Sequence, residues 1–159
     1  MKYHLIAFSA ALITTTAYAQ QHHHTHGKAQ LYLTYASSQL QVEFNSPAMD
    51  VLGFEGEPAT DQQKQAVQQL KQTLSKPAAL FTLGGNRCSL QSQHTEISQD
   101  HHSDVHASYQ FACEGEPAPD ISLTLFGQFP SLHQVEGFAI INGKQQYRVL
   151  DPDSEVWKF

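Results

Sequence analysis

The sequence predicts an α+β fold, made mainly of antiparallel β-sheet with one longer α-helix and a single disulfide. Three observations predict it. Most of the chain alternates apolar and polar residues with the period of two typical of strands. One segment has the period of a helix instead, and short turn-forming pairs separate the strands. The 159 residues contain no internal repeat and no linker, so we expect one folded domain.

The folded part of the chain begins with two alternating segments. Apolar residues occupy every second position of residues 29–35 and again of residues 40–44. This pattern predicts two half-buried strands, which a short serine turn joins into a hairpin. Residues 47–58 follow as an apolar loop or a short turn of helix.

One helix is predicted over residues 61–75. Thr60 and Gln63 have the spacing of a capping box at its start, and Pro77 follows its end. A single helical face carries the apolar residues of this segment, which are Val67, Leu70 and Leu74.

Further strands fill the second half of the chain. Asn142-Gly143 lies between two alternating segments, and this pair favours the type I′ turn of a tight hairpin. We expect about seven strands in all. The later apolar or alternating segments are residues 81–83, 87–98, 104–114, 121–125, 135–141 and 144–150.

Cys88 and Cys113 are the two cysteines of the sequence. Residues paired in an antiparallel hairpin share a constant index sum, and Cys88 opposite Cys113 has the same sum as Ile97 opposite Asp104. We therefore predict a structural disulfide at the base of a hairpin whose tip is residues 98–103. A redox pair is disfavoured because the sequence has no C-x-x-C motif.

The first 19 residues have the pattern of a secretory signal peptide. Lys2 gives a positive start, residues 5–13 are almost wholly apolar, and Ala17-Tyr18-Ala19 supplies the small residues of a cleavage site. A transmembrane helix needs roughly 20 apolar residues, more than this run offers. We expect residues 1–19 to be removed, leaving a domain over residues 20–159 whose first part, residues 20–28, is histidine-rich and flexible. Outside the cytoplasm the two cysteines can be oxidised.

The composition narrows the functional classes. Ten histidines outnumber the nine lysines and arginines together, and the net charge of −6 argues against a nucleic-acid binder. The 40% hydrophobic fraction argues against a disordered chain. Two cysteines exclude a zinc site of four thiolates, so a metal site would rest on imidazole and carboxylate groups.

Most histidines fall in two clusters. In the first, His22, His24 and His26 share the parity of the polar face of strand one. In the second, Asp104 and His106 lie on the polar face of a later strand. His102 shares their parity, and His101 lies beside it. The sequence does not give the strand order, so whether the two clusters meet stays open.

His94 differs from the second cluster because it has the parity of Cys88, which turns it towards the core of a regular hairpin. A β-bulge would be needed to bring it to the polar face. His133 is isolated in the sequence and is interpreted as structural or surface-exposed.

Imidazoles at positions i and i+2 of a strand can reach one tetrahedral Zn²⁺. Because imidazole also suits copper and nickel, the type of ligand does not choose the metal. The predicted metal ligands are His22, His24, His26, His94, His101, His102, Asp104 and His106.

Several short motifs follow one another in a specific order along nearly all of the mature chain. They are His24-Thr25-His26-Gly27, Ser46-Pro47-Ala48, Leu52-Gly53-Phe54-Glu55, the segment from His102 to Cys113, Leu125-Phe126-Gly127-Gln128-Phe129-Pro130 and Gly143-Lys144-Gln145. In this order they resemble the ZrgA-type periplasmic zinc-binding proteins.

The resemblance implies a periplasmic protein of Gram-negative bacteria, produced under zinc limitation, that binds Zn²⁺ and assists an ABC-type zinc importer. It implies zinc ligands at His24 and His26, and at His102, Asp104 and His106. Many members of that family carry a long His/Asp/Glu-rich insert between the two cysteines. The short segment here favours one or two defined sites over high-capacity buffering.

Other functional classes fit the sequence less well. A metal hydrolase with Glu96 or Glu43 as its base is disfavoured because the sequence has no H-E-x-x-H, G-x-S-x-G or phosphate-loop motif. We therefore expect no enzymatic activity. The remaining alternatives are a protein–protein interaction module with incidental surface histidines and a binder of copper or nickel.

Overall fold

The computed structural model describes residues 25–85, 87–98, 103–115, 118 and 120–159. Within these residues the chain forms nine strands, where about seven were expected. They are β1 (Lys28–Ala36), β2 (Gln39–Pro47), β3 (Phe81–Leu83), β4 (Cys88–Ile97), β5 (Asp104–Cys113), β6 (Asp120–Leu123), β7 (Gln134–Ile141), β8 (Lys144–Leu150) and β9 (Val156–Lys158).

One helix is clearly longer than the others, as the sequence predicted. This helix, α2 (Asp61–Leu74), starts with the predicted capping box: Gln63 N–H donates to the Thr60 hydroxyl, and the Gln63 side chain accepts from Thr60 N–H. Two short helices accompany it. The first, α1 (Ala48–Leu52), lies in the segment expected to be an apolar loop or a short turn of helix, whereas α3 (Leu125–Gln128) begins at Leu125, which was expected to end a strand.

The strands form two sheets. The larger has the order β4-β5-β2-β1-β7-β8, and the smaller has the order β3-β6-β9. Every pairing between these strands is antiparallel except that of β1 with β7, which is parallel. The mostly β, α+β class is therefore confirmed, whereas the parallel pair was not anticipated.

The core lies on one face of the six-stranded sheet. Leu70 and Leu74 of α2 are buried there, and Phe81 of the smaller sheet packs edge-on against Tyr109 of β5. The opposite face of the six-stranded sheet, called here the open face, carries exposed side chains such as Tyr147. This layering follows from the alternation of the strands, which sends apolar and polar residues to opposite sides.

The β4–β5 hairpin contains the predicted disulfide between Cys88 and Cys113. Its register follows the predicted sum up to Leu90 and then slips by one residue before Ser92. Ile97 consequently pairs with Val105 and not with Asp104 as predicted. The slip is a β-bulge, which places two residues of one strand opposite one of the other.

The other predicted hairpin joins β7 to β8. Asn142 and Gly143 both have positive φ, at 50° and 79°, as a type I′ turn requires. In the described part of the chain, no helix is long and apolar enough to cross a membrane.

Candidate metal centre

The four central strands of the large sheet, β5, β2, β1 and β7, share one end of it. β1, β5 and β7 begin there, and β2 ends there, because β2 runs antiparallel to β1 and β5 while β7 runs parallel to β1. His26 lies two residues before β1, and Asp104 is the first residue of β5. One strand, β2, separates β1 from β5, which puts their backbones about 10 Å apart. The strand order thus brings segments of both sequence clusters to the same sheet end.

A buried carboxylate holds the turn that carries His26. Asp50 of α1 has a side chain only 4% exposed, and its Oδ2 accepts the N–H of Gly27 at 2.8 Å. His26 is 64% exposed, and its Nδ1 lies 3.9 Å from Asp50 Oδ1. This distance is too long for a hydrogen bond but short enough for the carboxylate to attract a cation held at the imidazole.

Asp50 was not among the residues selected from the sequence. The signal that could have found it is a lone acidic residue inside the apolar segment 47–54. A buried carboxylate requires a compensating partner, and here the backbone of Gly27 provides one.

The same helix also holds the start of β5. Ala48 N–H at the beginning of α1 donates to the carbonyl of Ser103 at 2.7 Å. The hydroxyl of Ser103 accepts the N–H of Gly56 at 2.8 Å. Ser103 is buried, and the residue after it is Asp104. Helix α1 and its following loop are therefore bonded both to the His26 turn and to the segment that leads into β5.

His106 is half-buried on the open face, and a neighbouring amide fixes its ring. Its Nδ1 lies 2.6 Å from Oδ1 of Asn45 on β2. A carbonyl oxygen can only accept, so the hydrogen of a neutral ring sits on Nδ1 and the lone pair is on Nε2. Nε2 is then ready to bind a metal ion, an arrangement commonly found for metal-binding histidines.

The bulge in β4 changes the position of His94. The sequence parity predicted a side chain turned towards the core of a regular hairpin, but the hairpin is not regular: His94 pairs with Ser108 and lies exposed on the open face. The next residue on that face, Glu96, pairs with His106. The β-bulge that His94 was expected to need in order to reach the polar face is therefore present, and His94 lies on the same face as His106.

His133, which the sequence indicates to be structural or surface-exposed because it is isolated, also lies at this sheet end. Its backbone N–H donates to the carbonyl of Gly27 at 2.8 Å. Its ring lies against the same glycine, since a Cβ added to Gly27 would be 3.1 Å from His133 Cδ2. The parallel pairing of β1 with β7 creates this contact.

Four predicted ligands belong to the described residues: His26, His94, Asp104 and His106. The predicted ligands His22, His24, His101 and His102 lie outside the described residues, as does the predicted signal peptide. Among the residues that are described, no group of three or more His, Cys, Asp or Glu side chains is placed to hold a metal ion.

Comparison with known protein families identifies a relationship. The model of a family described as ZrgA family zinc uptake protein matches residues 23–159. No curated protein matches the sequence. The matched range contains both sheets, helix α1 and the sheet end described above.

Proposed function

Because this chain belongs to the ZrgA family of zinc uptake proteins, we propose that it is a periplasmic protein that captures Zn²⁺. The site is at the sheet end where β1 and β5 begin, and the protein assists an ABC-type zinc importer. Residues 1–19 direct export and are removed. The role is binding and delivery, with no enzymatic reaction.

The proposed ligands come from both histidine clusters. In the sequence, His24 and His26 precede β1, while His102 precedes β5 and Asp104 and His106 lie in its first three residues. The observation that supports a shared site is that helix α1 is bonded to both segments. The Asp50 carboxylate accepts the N–H of Gly27, and the N–H of Ala48 donates to the carbonyl of Ser103. These two hydrogen bonds hold the ligand-bearing segments near each other in the absence of metal.

The orientation of His106 supports its role as a ligand. Asn45 Oδ1 holds the Nδ1 hydrogen, so Nε2 presents its lone pair without a further change of tautomer. Zn²⁺ accepts neutral imidazole nitrogen at about 2.0–2.1 Å and carboxylate oxygen at about 2.0–2.2 Å. His94, His22 and His101 are proposed as accessory ligands that can exchange zinc with the principal set.

Acidic groups near the sheet end favour cation approach. Asp50 and Asp104 lie at that end, Glu96 pairs across from His106, and the whole chain has a net charge of −6. Copper and nickel accept the same ligands. The family supports zinc as the physiological metal.

Calorimetry tests the site. Zn²⁺ is titrated into the metal-free mature chain and into the double variant His26→Ala, His106→Ala, with Gln110→Ala as the control. Gln110 lies on β5 and is exposed. We expect submicromolar binding by the unsubstituted chain and by the control, and at least about a ten-fold loss in the double variant. Submicromolar binding that survives the double substitution would overturn the ligand assignment.

A further inference from the structure

A row of aromatic side chains crosses the open face of the large sheet. Tyr32 of β1 pairs with Phe138 of β7, which pairs with Tyr147 of the edge strand β8. The rings of Tyr32 and Phe138 stack with centroids 5.2 Å apart, and those of Phe138 and Tyr147 are 5.0 Å apart. These three residues, with Ile140 and Val149 beside them, are called here the aromatic patch.

The aromatic patch is open to solvent. Tyr147 is 57% exposed, Ile140 43% and Val149 41%. A pocket of about 410 Å³ lies along the row and reaches Thr34 and Gln145 at its side. The solvated face of an antiparallel sheet ordinarily carries polar residues. A contiguous exposed apolar group of this kind is typical of a binding surface.

The charged residues nearest to the aromatic patch are two carboxylates. Glu43 pairs with Tyr32 from β2, and Glu136 lies two residues before Phe138 on the same face of β7. Burial, and then the charges of Glu136 and Glu43, raise the pKa of the Tyr32 hydroxyl. An apolar centre with a negative border is complementary to an apolar side chain flanked by Lys or Arg.

The same charges disfavour other occupants. A second copy of this chain, docked patch to patch, would bring the carboxylates of both copies together, and its own net charge is −6. An anionic membrane surface attracts basic segments and would be repelled by Glu43 and Glu136. The chemistry of the face therefore favours a protein partner that carries positive charge.

We propose that the aromatic patch docks a partner protein through a segment with an aromatic or aliphatic side chain between Lys or Arg residues. Tyr32, Phe138 and Tyr147 receive the apolar side chain, and Glu43 and Glu136 pair with the basic residues. Tyrosine is enriched in such interfaces because its ring is large and loses little conformational entropy. The patch uses none of the zinc ligands proposed above.

Two synthetic peptides of equal length test the proposal. One carries a central Phe flanked by Lys residues, and the other has the same Phe flanked by Glu residues. Each is titrated into the metal-free chain while the ring resonances of Tyr32, Phe138 and Tyr147 are followed by NMR. We expect saturable shifts at these rings with the Lys peptide, at least about ten-fold weaker binding of the Glu peptide, and weaker binding at high salt.

Variants locate the surface. Tyr147→Ser should weaken binding of the Lys peptide at least about five-fold, and the pair Glu43→Gln, Glu136→Gln should reduce its salt dependence. The control is Val156→Ser, because Val156 is also an exposed apolar residue, at 43%, but lies on β9. Equal binding of both peptides, or no difference between Tyr147→Ser and Val156→Ser, would overturn the proposal.

Two further measurements separate this proposal from its rivals. Concentration-dependent dimerisation that Tyr147→Ser abolishes would overturn it in favour of a second copy. Zinc calorimetry on Tyr147→Ser should match the unsubstituted chain. Loss of zinc binding in that variant would contradict the independence of the two surfaces, whereas failure of the zinc site alone would leave the peptide result unchanged.

Discussion

Nδ1 of His106 lies 2.6 Å from Oδ1 of Asn45, which occupies the directly paired position on the neighbouring strand. This pair links the proposed zinc ligand to the rigid centre of the large sheet. The amide sets both the orientation of the imidazole ring and the nitrogen that holds its hydrogen.

Replacement of Asn45 should therefore weaken zinc binding without removing a ligand. We expect Asn45→Ala to lower the affinity about 10–100-fold, the range found when the partner of a metal-binding histidine is lost. Calorimetry with Zn²⁺ measures it. Gln41→Ala is the matched control, since Gln41 lies on the same strand and face and its side chain donates to Glu43. Equal affinity of the two variants would contradict a role for Asn45 in orienting the ring.

The hydrogen bond of Asp50 to Gly27 should contribute to the free energy of unfolding. Asp50→Ala leaves the N–H of Gly27 without its acceptor in a buried position, which costs about 1–3 kcal/mol of unfolding free energy. Asp50→Asn keeps an acceptor oxygen and should lose less. Urea unfolding of the metal-free chain measures both.

Asp61→Ala serves as the control for Asp50, because the Asp61 side chain is 95% exposed. It should change the unfolding free energy by less than about 0.5 kcal/mol. A loss at Asp50→Ala no larger than that of the control would show that the Gly27 contact contributes little.

Local patterns predicted much of the fold. The alternation of β1 and β2, the capping box of α2 and the Asn142-Gly143 turn depend on neighbouring residues, so the sequence contains them directly. The disulfide followed from a register argument that needed only one hairpin. These features require no knowledge of how distant segments pack.

Long-range pairing and irregular backbone could not be predicted in this way. The contact of His133 with Gly27 depends on the parallel pairing of β1 and β7, which are separated by almost the whole domain. The orientation of His94 depends on one extra residue in β4. Alternation gives the faces of a regular strand, but a bulge exchanges them without a strong local signal.

Removal of the disulfide should destabilise the chain considerably. Cys88 and Cys113 are 25 residues apart, and the loss of such a loop closure corresponds to about 3–4 kcal/mol in the chain-entropy model. The double variant Cys88→Ala, Cys113→Ala should unfold at a lower urea concentration, with its free energy of unfolding reduced by this amount. The reduced form of the unsubstituted chain is the control and should behave similarly. A difference under about 1 kcal/mol would contradict a structural role for the bridge.

Gly137 should tolerate no side chain. A Cβ added there would lie 2.4 Å from Cζ3 of Trp157, which packs over β7 and is buried. We expect Gly137→Ala to lower the unfolding free energy by about 1–3 kcal/mol through overpacking. Gly127→Ala is the control because an added Cβ there meets no atom within 4 Å. Calorimetric melting compares the two, and equal melting temperatures would contradict the close approach of Trp157.

Tyr109 should make the stability depend on alkaline pH. Its buried hydroxyl donates to the carbonyl of Leu74 at the end of α2, 2.7 Å away, and burial raises the pKa of that hydroxyl. An unfolded tyrosine loses its proton near pH 10, whereas the folded chain keeps the proton on Tyr109. This contribution is therefore fully present below about pH 10 and is lost as the pH rises above it.

Tyr109→Phe removes this pH dependence together with the bond to α2. At pH 7 we expect a loss of about 1 kcal/mol, because the Leu74 carbonyl loses its donor. Between pH 9 and about pH 11 the unsubstituted chain should lose more stability than the variant does, so the difference between them narrows. Urea unfolding at these pH values measures it, with Tyr147→Phe as the control because Tyr147 is 57% exposed. Parallel pH profiles for Tyr109→Phe and the unsubstituted chain would contradict the linkage.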